Sequence, residues 1–593
     1  MNFRAILLLC LGVVFGCSPG RAQALEVVPD KLVVLTFDLQ TNAFKVIAMR
    51  DLARYVDPEQ APADPLAIVE KRKAARQEVL VVGEILDAVN SQPLPARIYI
   101  RGVDGAWHFA KSAFSLGSAI RYERRSGFNT NAVEMHTTLS AHPFRVELLP
   151  GQYTFTIERG KEFFPETREV VVERGMPKLA FRLRRWVNMN EQGWYSGDTH
   201  NHREPAELSN VMLAEDVNVG LPMVDWTTAS TVAPSASGRG FQGKFGDGPV
   251  AIDATHVWQP RNTEYEIFRT GNTNHTLGAL VILNHRTRFD QPVFPLRAIG
   301  EKARAEGALL DLEKHNWPWS LALVPLLKVD LFELANNHNW ETEYGIKNWA
   351  VPAPVWMGLS GSGTENERDW TLYGFQTYYA LLNCGFHLRP AAGTANGVHP
   401  VPLGFSRVYV HLDEPFSFEA WMSGLAAGRS FVTTGPMLLA KAGGQWPGAA
   451  PLPANQAQGY RLDCTVLSEQ PLETIELVVN SVVTQRFDPQ NTRAKAGSFE
   501  SRVSTQFNPR TSSWLAWRCF EQRAGHRFRF AHTAPWHVEI PGQPLLPRRA
   551  EAEWLVARVK EEIVRSQGIA PETLINDYRK ALEIYEQLAT TAQ

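Results

Sequence analysis

Alternating apolar and polar positions dominate residues 79–185 and predict a region made of β-strands. Strand candidates at 79–85 and 96–101 are separated by turn residues, and 153–157 (YTFTI) alternates with a period of two. The sequence LPG at 149–151 supplies a turn directly before that last strand. The pattern therefore predicts a β-sandwich domain over 79–185.

The middle of the chain mixes strand and helix candidates. Apolar runs at 277–283, 308–312 and 329–334 predict strands, and helical stretches lie between them. This alternation favours an α/β, barrel-like domain over 186–441. Strand candidates return at 460–466 and predict a second β-rich domain over 442–545.

The last segment, 546–593, predicts a helical tail. Its stretches 550–564 and 571–588 are amphipathic, and Pro571 suits a first helical position. Docking on the body of the protein and dimerisation are both consistent with the apolar face.

The first 24 residues predict a signal peptide, because Arg4 precedes an apolar run at 5–15, and the cleavage pattern AQA follows at 22–24. Processing before Cys17, as in a lipoprotein, is the alternative. We therefore expect export to the periplasm or the extracellular space, with residues 25–78 as an N-terminal segment. No later apolar run approaches 18 residues, so no transmembrane segment is expected.

Composition limits the choice of partners. The 593 residues are enough for several domains, and the formal net charge of -2 does not favour binding to nucleic acid or to an anionic membrane. A small-molecule or cell-surface substrate is expected, and the oligomeric state is not predicted. Cys464 and Cys519 predict either a disulfide or two buried free thiols.

Residues 197–202 (GDTHNH) carry the strongest chemical signal in the chain. Because side chains at i and i+2 of a strand share one face, Asp198, His200 and His202 are expected to project together. Imidazole and carboxylate groups are ligands of zinc, manganese and iron. The segment therefore predicts a divalent metal site, although an isolated H-x-H is often an accident of surface or core composition.

The segment 194–202 resembles the GDLHxH motif of the carbaryl-hydrolase-like metallohydrolases, the CehA/McbA family of the PHP superfamily. The resemblance continues at 382–386, 392–394 and 427–436. It implies a distorted (β/α)7 barrel over 186–441 with metals at one end. Residues 79–185 resemble the carboxypeptidase-regulatory-like sandwich, so the barrel would be flanked by β-sandwich domains and followed by the helical tail.

The resemblance also implies particular ligands. His200 and His202 match its first motif, and Glu266 resembles its bridging glutamate, with Glu264 as the competing choice. His275 and His315 fall where further histidines are expected. The second and last motifs lack their usual ligands, at 225–227 (DWT) and 393–397 (GTANG). We therefore expect one or two ions, with Asp198 or Asp225 completing a shell.

The resemblance implies an exported metal-dependent hydrolase that uses a metal-activated water on an ester, carbamate, amide or phosphoester. His315 and His338 are candidates for proton transfer, as is His285. Arg429 would clamp an anionic group or form a buried ion pair. The alternatives are a catalytically inactive barrel that binds a glycan or a protein, and a structural role.

Overall fold

The computed structural model describes eleven stretches of the chain: 5–7, 33–38, 43–48, 77–126, 132–236, 246–340, 351–359, 367–448, 451–452, 459–523 and 527–593. Most of the expected signal peptide, including Cys17, lies outside the described residues, as does most of 25–78. Compact units are formed by 1–81 with 147–153 and 170–177, and by 82–146 with 154–169 and 178–593. The smaller unit contains an antiparallel sheet of three strands: β1 (Ala5–Leu7), β2 (Val33–Asp38) and β3 (Ala43–Ala48).

The structure describes ten strands in the region for which the sequence predicts a sandwich: β4 (Val79–Asp87), β5 (Ala96–Gly102), β6 (Trp107–His108), β7 (Lys111–Ser112), β8 (Ala119–Arg125), β9 (Val133–Leu139), β10 (Phe144–Leu148), β11 (Gly151–Glu158), β12 (Glu166–Val172) and β13 (Leu179–Leu183). They form one sheet in the order β13-β4-β10-β7 and another in the order β12-β11-β5-β9-β8. Phe144, Phe155 and Phe181 are buried, because the apolar side of each alternating strand faces the interior. The strands predicted at 79–85, 96–101 and 153–157 are confirmed.

Among its described residues, the central region contains twelve strands: β14 (Trp194–Asn201), β15 (Val219–Pro222), β16 (Asp225–Ala229), β17 (Val250–Ala251), β18 (Val257–Trp258), β19 (Thr263–Thr270), β20 (Thr273–Leu283), β21 (Leu309–Leu312), β22 (Leu331–Ala335), β23 (Arg389–Ala392), β24 (Arg407–His411) and β25 (Ser430–Thr433). Its described helices are α1 (Pro205–Glu215), α2 (Leu296–Glu306), α3 (Ser320–Leu327), α4 (Glu367–Asn383) and α5 (Phe418–Ala427). Short 3-10 helices lie at Asn190–Gln192, Asn337–Asn339 and Val355–Met357.

The central strands belong to two sheets, and the described residues form no closed barrel. One sheet has the order β16-β19-β20-β21-β22-β23, with parallel pairs at β16–β19, β21–β22 and β22–β23. The remaining central strands join a sheet of eleven strands, in which β14 lies between β15 and β24. Strands β20 to β22 are mostly buried, which explains why most of their residues are apolar.

The described strands after residue 436 belong to two sheets. They are β26 (Met437–Ala442), β27 (Tyr460–Ser468), β28 (Thr474–Val479), β29 (Val482–Phe487), β30 (Thr492–Arg493), β31 (Phe499–Phe507), β32 (Ser513–Gln522), β33 (Phe528–Thr533) and β34 (Trp536–Val538). Four of them form the sheet β26-β27-β31-β30, whereas β33 pairs with β25 and extends the eleven-stranded sheet. The sheet thus crosses the domain boundary predicted at 441. The described cysteines, including Cys464 and Cys519, are buried free thiols.

The tail forms α6 (Arg549–Ser566) and α7 (Glu572–Thr590). Leu574, Tyr578 and Tyr585 on α7 are buried, and the Tyr585 hydroxyl donates to the Leu321 carbonyl of α3 at 2.6 Å. Docking on the body, one of the two roles expected for the tail, is confirmed. Among the described helices, none has both the length and the apolar composition needed to cross a membrane.

Candidate metal centre

Two histidines and a glutamate meet where the two central sheets approach each other. His200 lies in β14 and His202 directly follows it, whereas Glu264 lies in β19 of the other sheet. The two Nε2 atoms are 3.1 Å apart, and the Glu264 carboxylate is 3.7 Å from His200 Nε2 and 3.3 Å from His202 Nε2. All three side chains are buried, and one ligand atom from each lies within 4.8 Å of the others. This arrangement is a candidate three-ligand metal site.

The opposite nitrogen of His200 faces two further carboxylates. His200 Nδ1 is 2.6 Å from Glu313 Oε2 and 2.9 Å from Glu333 Oε2, and both glutamates are buried. A carboxylate that accepts from one ring nitrogen fixes the tautomer and leaves the other nitrogen for a metal. Although these three groups are close enough to hold an ion themselves, we interpret Glu313 and Glu333 as the groups that orient His200.

A third group of carboxylates surrounds an ammonium. Glu264, Glu266 and Glu313 offer oxygens within 4.8 Å of one another. The Lys314 Nζ lies 2.9 Å from Glu266, 2.5 Å from Glu313 and 3.9 Å from Glu264. Lys314 has a positive φ of 50°, a backbone conformation that is uncommon for a side chain of this kind and is often found at functional sites. Its ammonium supplies a positive charge where a second cation would otherwise be expected.

Asp311 provides an independent test of whether a cation fits this centre. It lies in β21, its side chain is fully buried, and neither carboxylate oxygen has a hydrogen-bond partner among the described residues. Burial and the neighbouring Glu333 raise the pKa of Asp311 well above its usual value. A buried carboxylate without a hydrogen-bond donor, close to other carboxylates, is an environment that a divalent cation stabilises. The donors present therefore fit a divalent metal.

The charges of His200 and its neighbours are strongly coupled. Burial alone lowers the pKa of His200, but Glu313 and Glu333 raise it by more, so that it lies well above the usual value. Burial and the charges of Glu266 and Glu313 raise the pKa of Glu264 well above the usual value. For Glu313, burial raises the pKa, but His200 and Lys314 lower it by more. The centre is thus an electrostatic network in which one cation affects every member.

The loop after β23 packs against His200 and hydrogen-bonds to its backbone. The Gly393 backbone passes so close that an added Cβ would lie 2.3 Å from the His200 Cβ. The amides of Thr394 and Ala395 both donate to the His200 carbonyl, at 2.9 and 2.7 Å. The segment 393–397, which lacks the ligands implied by the resemblance, therefore positions the strand that carries the histidines.

Asp198 does not share the metal-facing side of the strand, contrary to the prediction. Its carboxylate accepts hydrogen bonds from the Thr394 hydroxyl at 2.5 Å and from the amides of Gly404 at 2.9 Å and His200 at 3.1 Å. The register of β14 against β15 shifts between Asp198 and Asn201, which interrupts the period of two. Burial raises the pKa of Asp198 to about 6, although these hydrogen bonds lower it.

The structure places two other expected ligands away from the cluster. His275 in β20 lies 3.2 Å from Ser566 Oγ and 3.2 Å from Arg565 Nη1, both on α6. Asp225 begins β16, and its nearest described charged partner is Arg288, at 3.9 Å. Neither belongs to a group of potential ligands. His275 lies toward the opposite end of β20 from Val281, which pairs with Glu264, whereas Asp225 is adjacent to Trp226, the partner of Glu264 in β16.

The candidate proton-transfer histidines differ in their surroundings. His315 is enclosed by aromatic rings, with its ring centroid 5.8 Å from that of Phe332 and 4.9 Å from that of Tyr373, and burial lowers its pKa to about 3. We therefore interpret His315 as a core residue. Burial and the charges of His399 and Lys314 lower the pKa of His338 well below its usual value. The ring of His338 packs against Trp370, with the two ring centroids 5.2 Å apart.

Arg429 and His285 also lie outside the cluster. The Arg429 Nη1 is 3.5 Å from Asp413 Oδ2, in a pair that is partly exposed rather than buried. His285 Nε2 is 2.9 Å from the Thr263 hydroxyl, and burial lowers the pKa of His285 to about 4. The structure thus gives neither side chain a contact with the metal ligands.

Sequence reasoning missed Asp311, Glu313, Lys314 and Glu333. A signal for them exists, since Asp311 interrupts the apolar run LLDL at 309–312 and Glu333 interrupts LFELA at 331–335. A charged residue inside a fully buried strand requires a partner. Such interruptions on neighbouring strands would have identified the carboxylate side of the centre.

Comparison with known proteins adds little to this geometry. No protein-family model matches the chain, and no curated protein matches it significantly. The crystal structure of a two-domain protein containing a predicted PHP-like metal-dependent phosphoesterase, from Bacteroides vulgatus ATCC 8482, is weakly similar. The match has a TM-score of 0.28 and 11% sequence identity, and covers 58% of this chain and 95% of that chain. A likeness this slight assigns neither fold nor activity.

Proposed function

We propose that this chain is an exported metal-dependent hydrolase with one divalent ion held by His200, His202 and Glu264. The observation that carries the proposal is the convergence of two imidazole nitrogens and a carboxylate in a buried cluster. Zinc, manganese and iron accept this ligand set, and three protein ligands leave a coordination position for water. When bound, such an ion lowers the pKa of water and polarises the oxygen beside the bond to be broken.

Lys314 supports a single ion. Of the three groups of potential ligands, one is occupied by hydrogen bonding around His200 Nδ1, and another surrounds the Lys314 ammonium. A second divalent ion among Glu264, Glu266 and Glu313 would have to displace this ammonium or bind beside it. Of the one or two ions expected from the sequence, we therefore propose one.

The other side chains would position the metal ligands and accept protons. Glu313 and Glu333 hold the imidazole of His200 in the orientation that directs Nε2 toward His202. His338 remains our candidate proton acceptor from the sequence, although burial lowers its pKa and so weakens its imidazole as a base. The resemblance of 194–202 to the CehA/McbA motif supports an ester, carbamate, amide or phosphoester as substrate.

The test is hydrolysis of a panel of model esters, carbamates, amides and phosphodiesters by the purified protein, with and without a chelator. We expect activity that chelation abolishes and that Glu264→Gln and His200→Ala remove. His275→Ala is the matched control, because the structure places this histidine against α6, and it should retain activity. Chelator-insensitive hydrolysis, or full activity in Glu264→Gln, would contradict the proposal.

A binding module without catalysis is the second candidate, and Lys314 is the observation that favours it. Its ammonium partly neutralises the carboxylates without any metal. On this alternative the protein would bind a glycan or a protein partner and contain no stoichiometric metal. Metal analysis of the purified protein separates the two candidates.

A further inference from the structure

A polar cavity lies in the larger unit, and none of its lining residues belongs to the metal centre. It has a volume of about 220 Å³ and opens to solvent. Five basic side chains line it, together with three glutamates and several aromatic rings, so that the lining has an excess of positive charge. The basic residues are Arg97, Lys161, Arg407, Arg523 and Arg529.

Two of these cations have no carboxylate within 4 Å among the described residues. Lys161 Nζ donates to the Thr434 carbonyl at 2.9 Å and lies 4.0 Å from the centroid of the Phe405 ring. The Arg407 guanidinium is buried and donates to three backbone carbonyls, those of Gly404, Glu215 and Asp216. Lys161 is half-buried, and a fully buried cation such as Arg407 normally has a charged partner.

The other basic side chains of the cavity repel Lys161 and do not neutralise its charge. Arg97 is paired with Glu158 and Glu215, and Arg523 with Glu469. Burial and repulsion by Arg529, Arg407, Arg523 and Arg97 lower the pKa of Lys161 well below its usual value. For Arg529, burial and Arg527 lower the pKa to about 9, and its nearest carboxylate, Glu367, is 3.6 Å away. An anion between these groups would relieve the repulsion.

We propose that this cavity binds a small oxyanion, phosphate or sulfate, through Lys161 and Arg529, with Arg407 contributing positive charge. Guanidinium and ammonium groups form strong charge-assisted hydrogen bonds to such oxyanions. The volume is below the roughly 300–1,000 Å³ of clefts that enclose drug-sized ligands, so a free anion or the terminal group of a small monoester fits best. The site does not depend on the proposed hydrolase activity.

The experiment is isothermal titration of the full-length protein with inorganic phosphate, inorganic sulfate and glycerol phosphate, at constant ionic strength set with chloride. Lys161→Met removes the charge, and Lys161→Arg restores it. Lys441→Met is the matched control, because the Lys441 ammonium also lies over an aromatic ring, 4.1 Å from that of Trp446, but outside the cavity. His200→Ala tests for binding at the metal centre instead. Arg529→Gln is a second cavity variant, should Lys161→Met fail to fold.

We expect wild type, Lys441→Met and His200→Ala to bind the anion with the same Kd. Lys161→Met and Arg529→Gln should bind about 30-fold more weakly or worse, as when one partner of a buried charge pair is lost, and Lys161→Arg should recover binding. Tighter binding of glycerol phosphate than of phosphate would support the site and identify a monoester as its ligand. Absence of binding in wild type, wild-type affinity in Lys161→Met, or loss of binding in His200→Ala would overturn the proposal.

Discussion

Replacing Lys314 by methionine removes the ammonium that lies among three carboxylates of the metal centre. Methionine retains most of the length of the side chain. It leaves Glu266 and Glu313 without the Lys314 Nζ, which lies 2.9 Å from the Glu266 carboxylate and 2.5 Å from that of Glu313. Removing one member of a buried ion pair typically costs about 3–5 kcal/mol. In metal-free protein we therefore expect a lower unfolding temperature in Lys314→Met than in wild type.

A second divalent ion would recover that free energy by replacing the lost charge. Since about 1.4 kcal/mol corresponds to a tenfold change in affinity, the second ion should bind roughly 10²- to 10⁴-fold more tightly to Lys314→Met than to wild type. Elemental analysis after gel filtration is expected to give one equivalent of metal in wild type and two in Lys314→Met. Added Mn²⁺ or Zn²⁺ should also restore the unfolding temperature of the variant.

Lys314→Arg is the matched control, because it keeps the positive charge and should keep a stoichiometry of one. The reasoning is refuted if Lys314→Met still binds one equivalent and added metal fails to restore its unfolding temperature. Two equivalents in the wild-type protein would equally refute it, since the ammonium would then not limit the number of ions.

Three further predictions concern the rest of the molecule. Burial raises the pKa of Glu134 to about 7 from 4.5, so its ionisation opposes folding as the pH rises through 7. In thermal unfolding, Glu134→Gln should increase the free energy of unfolding by up to about 3 kcal/mol at pH 8 and by little at pH 5. An equal increase at both pH values would contradict this. Gly393→Ala should lower metal content by displacing His200, whereas Gly246→Ala, where a Cβ meets nothing within 4 Å, should leave it unchanged. The buried thiols of Cys384, Cys464 and Cys519 should not react with a thiol reagent until the protein unfolds. Rapid labelling of the native protein would contradict their burial.

Local patterns were sufficient to predict many of the strands and the tail. The buried part of β20, residues 277–283, is a continuous apolar run, and the alternation of β11 follows from having one buried side. The apolar face of α7 predicted a docking surface, and α3 occupies it. These features depend on a few neighbouring residues, which is why sequence periodicity reveals them.

The metal centre was only partly predictable, because its members come from two sheets. His200 and His202 share one short motif, but Glu264, Glu313 and Glu333 join them only through the order of β19, β21 and β22 in the sheet. Because Glu264 and Glu266 share one face of β19, the choice between them depended on position along the strand relative to β14. Glu264 lies beside both histidines, whereas Glu266 binds Lys314.

Tertiary structure also decided the positions of the other expected ligands. The register shift in β14 directs Asp198 toward Thr394, and docking of α6 brings Arg565 and Ser566 to His275. His315 lies among aromatic rings from β22 and α4 that are distant from it in the sequence. The spacing of these residues along the sequence does not reveal such contacts.

The most direct test of the central claim is the metal stoichiometry of the purified protein, expressed without added metal, alongside His200→Ala and His275→Ala. A buried site of two histidines and Glu264 predicts one equivalent of zinc, manganese or iron in wild type and in His275→Ala, and almost none in His200→Ala. Wild-type protein without metal, and without any thermal shift when metals are added, would contradict the claim, as would full metal content in His200→Ala.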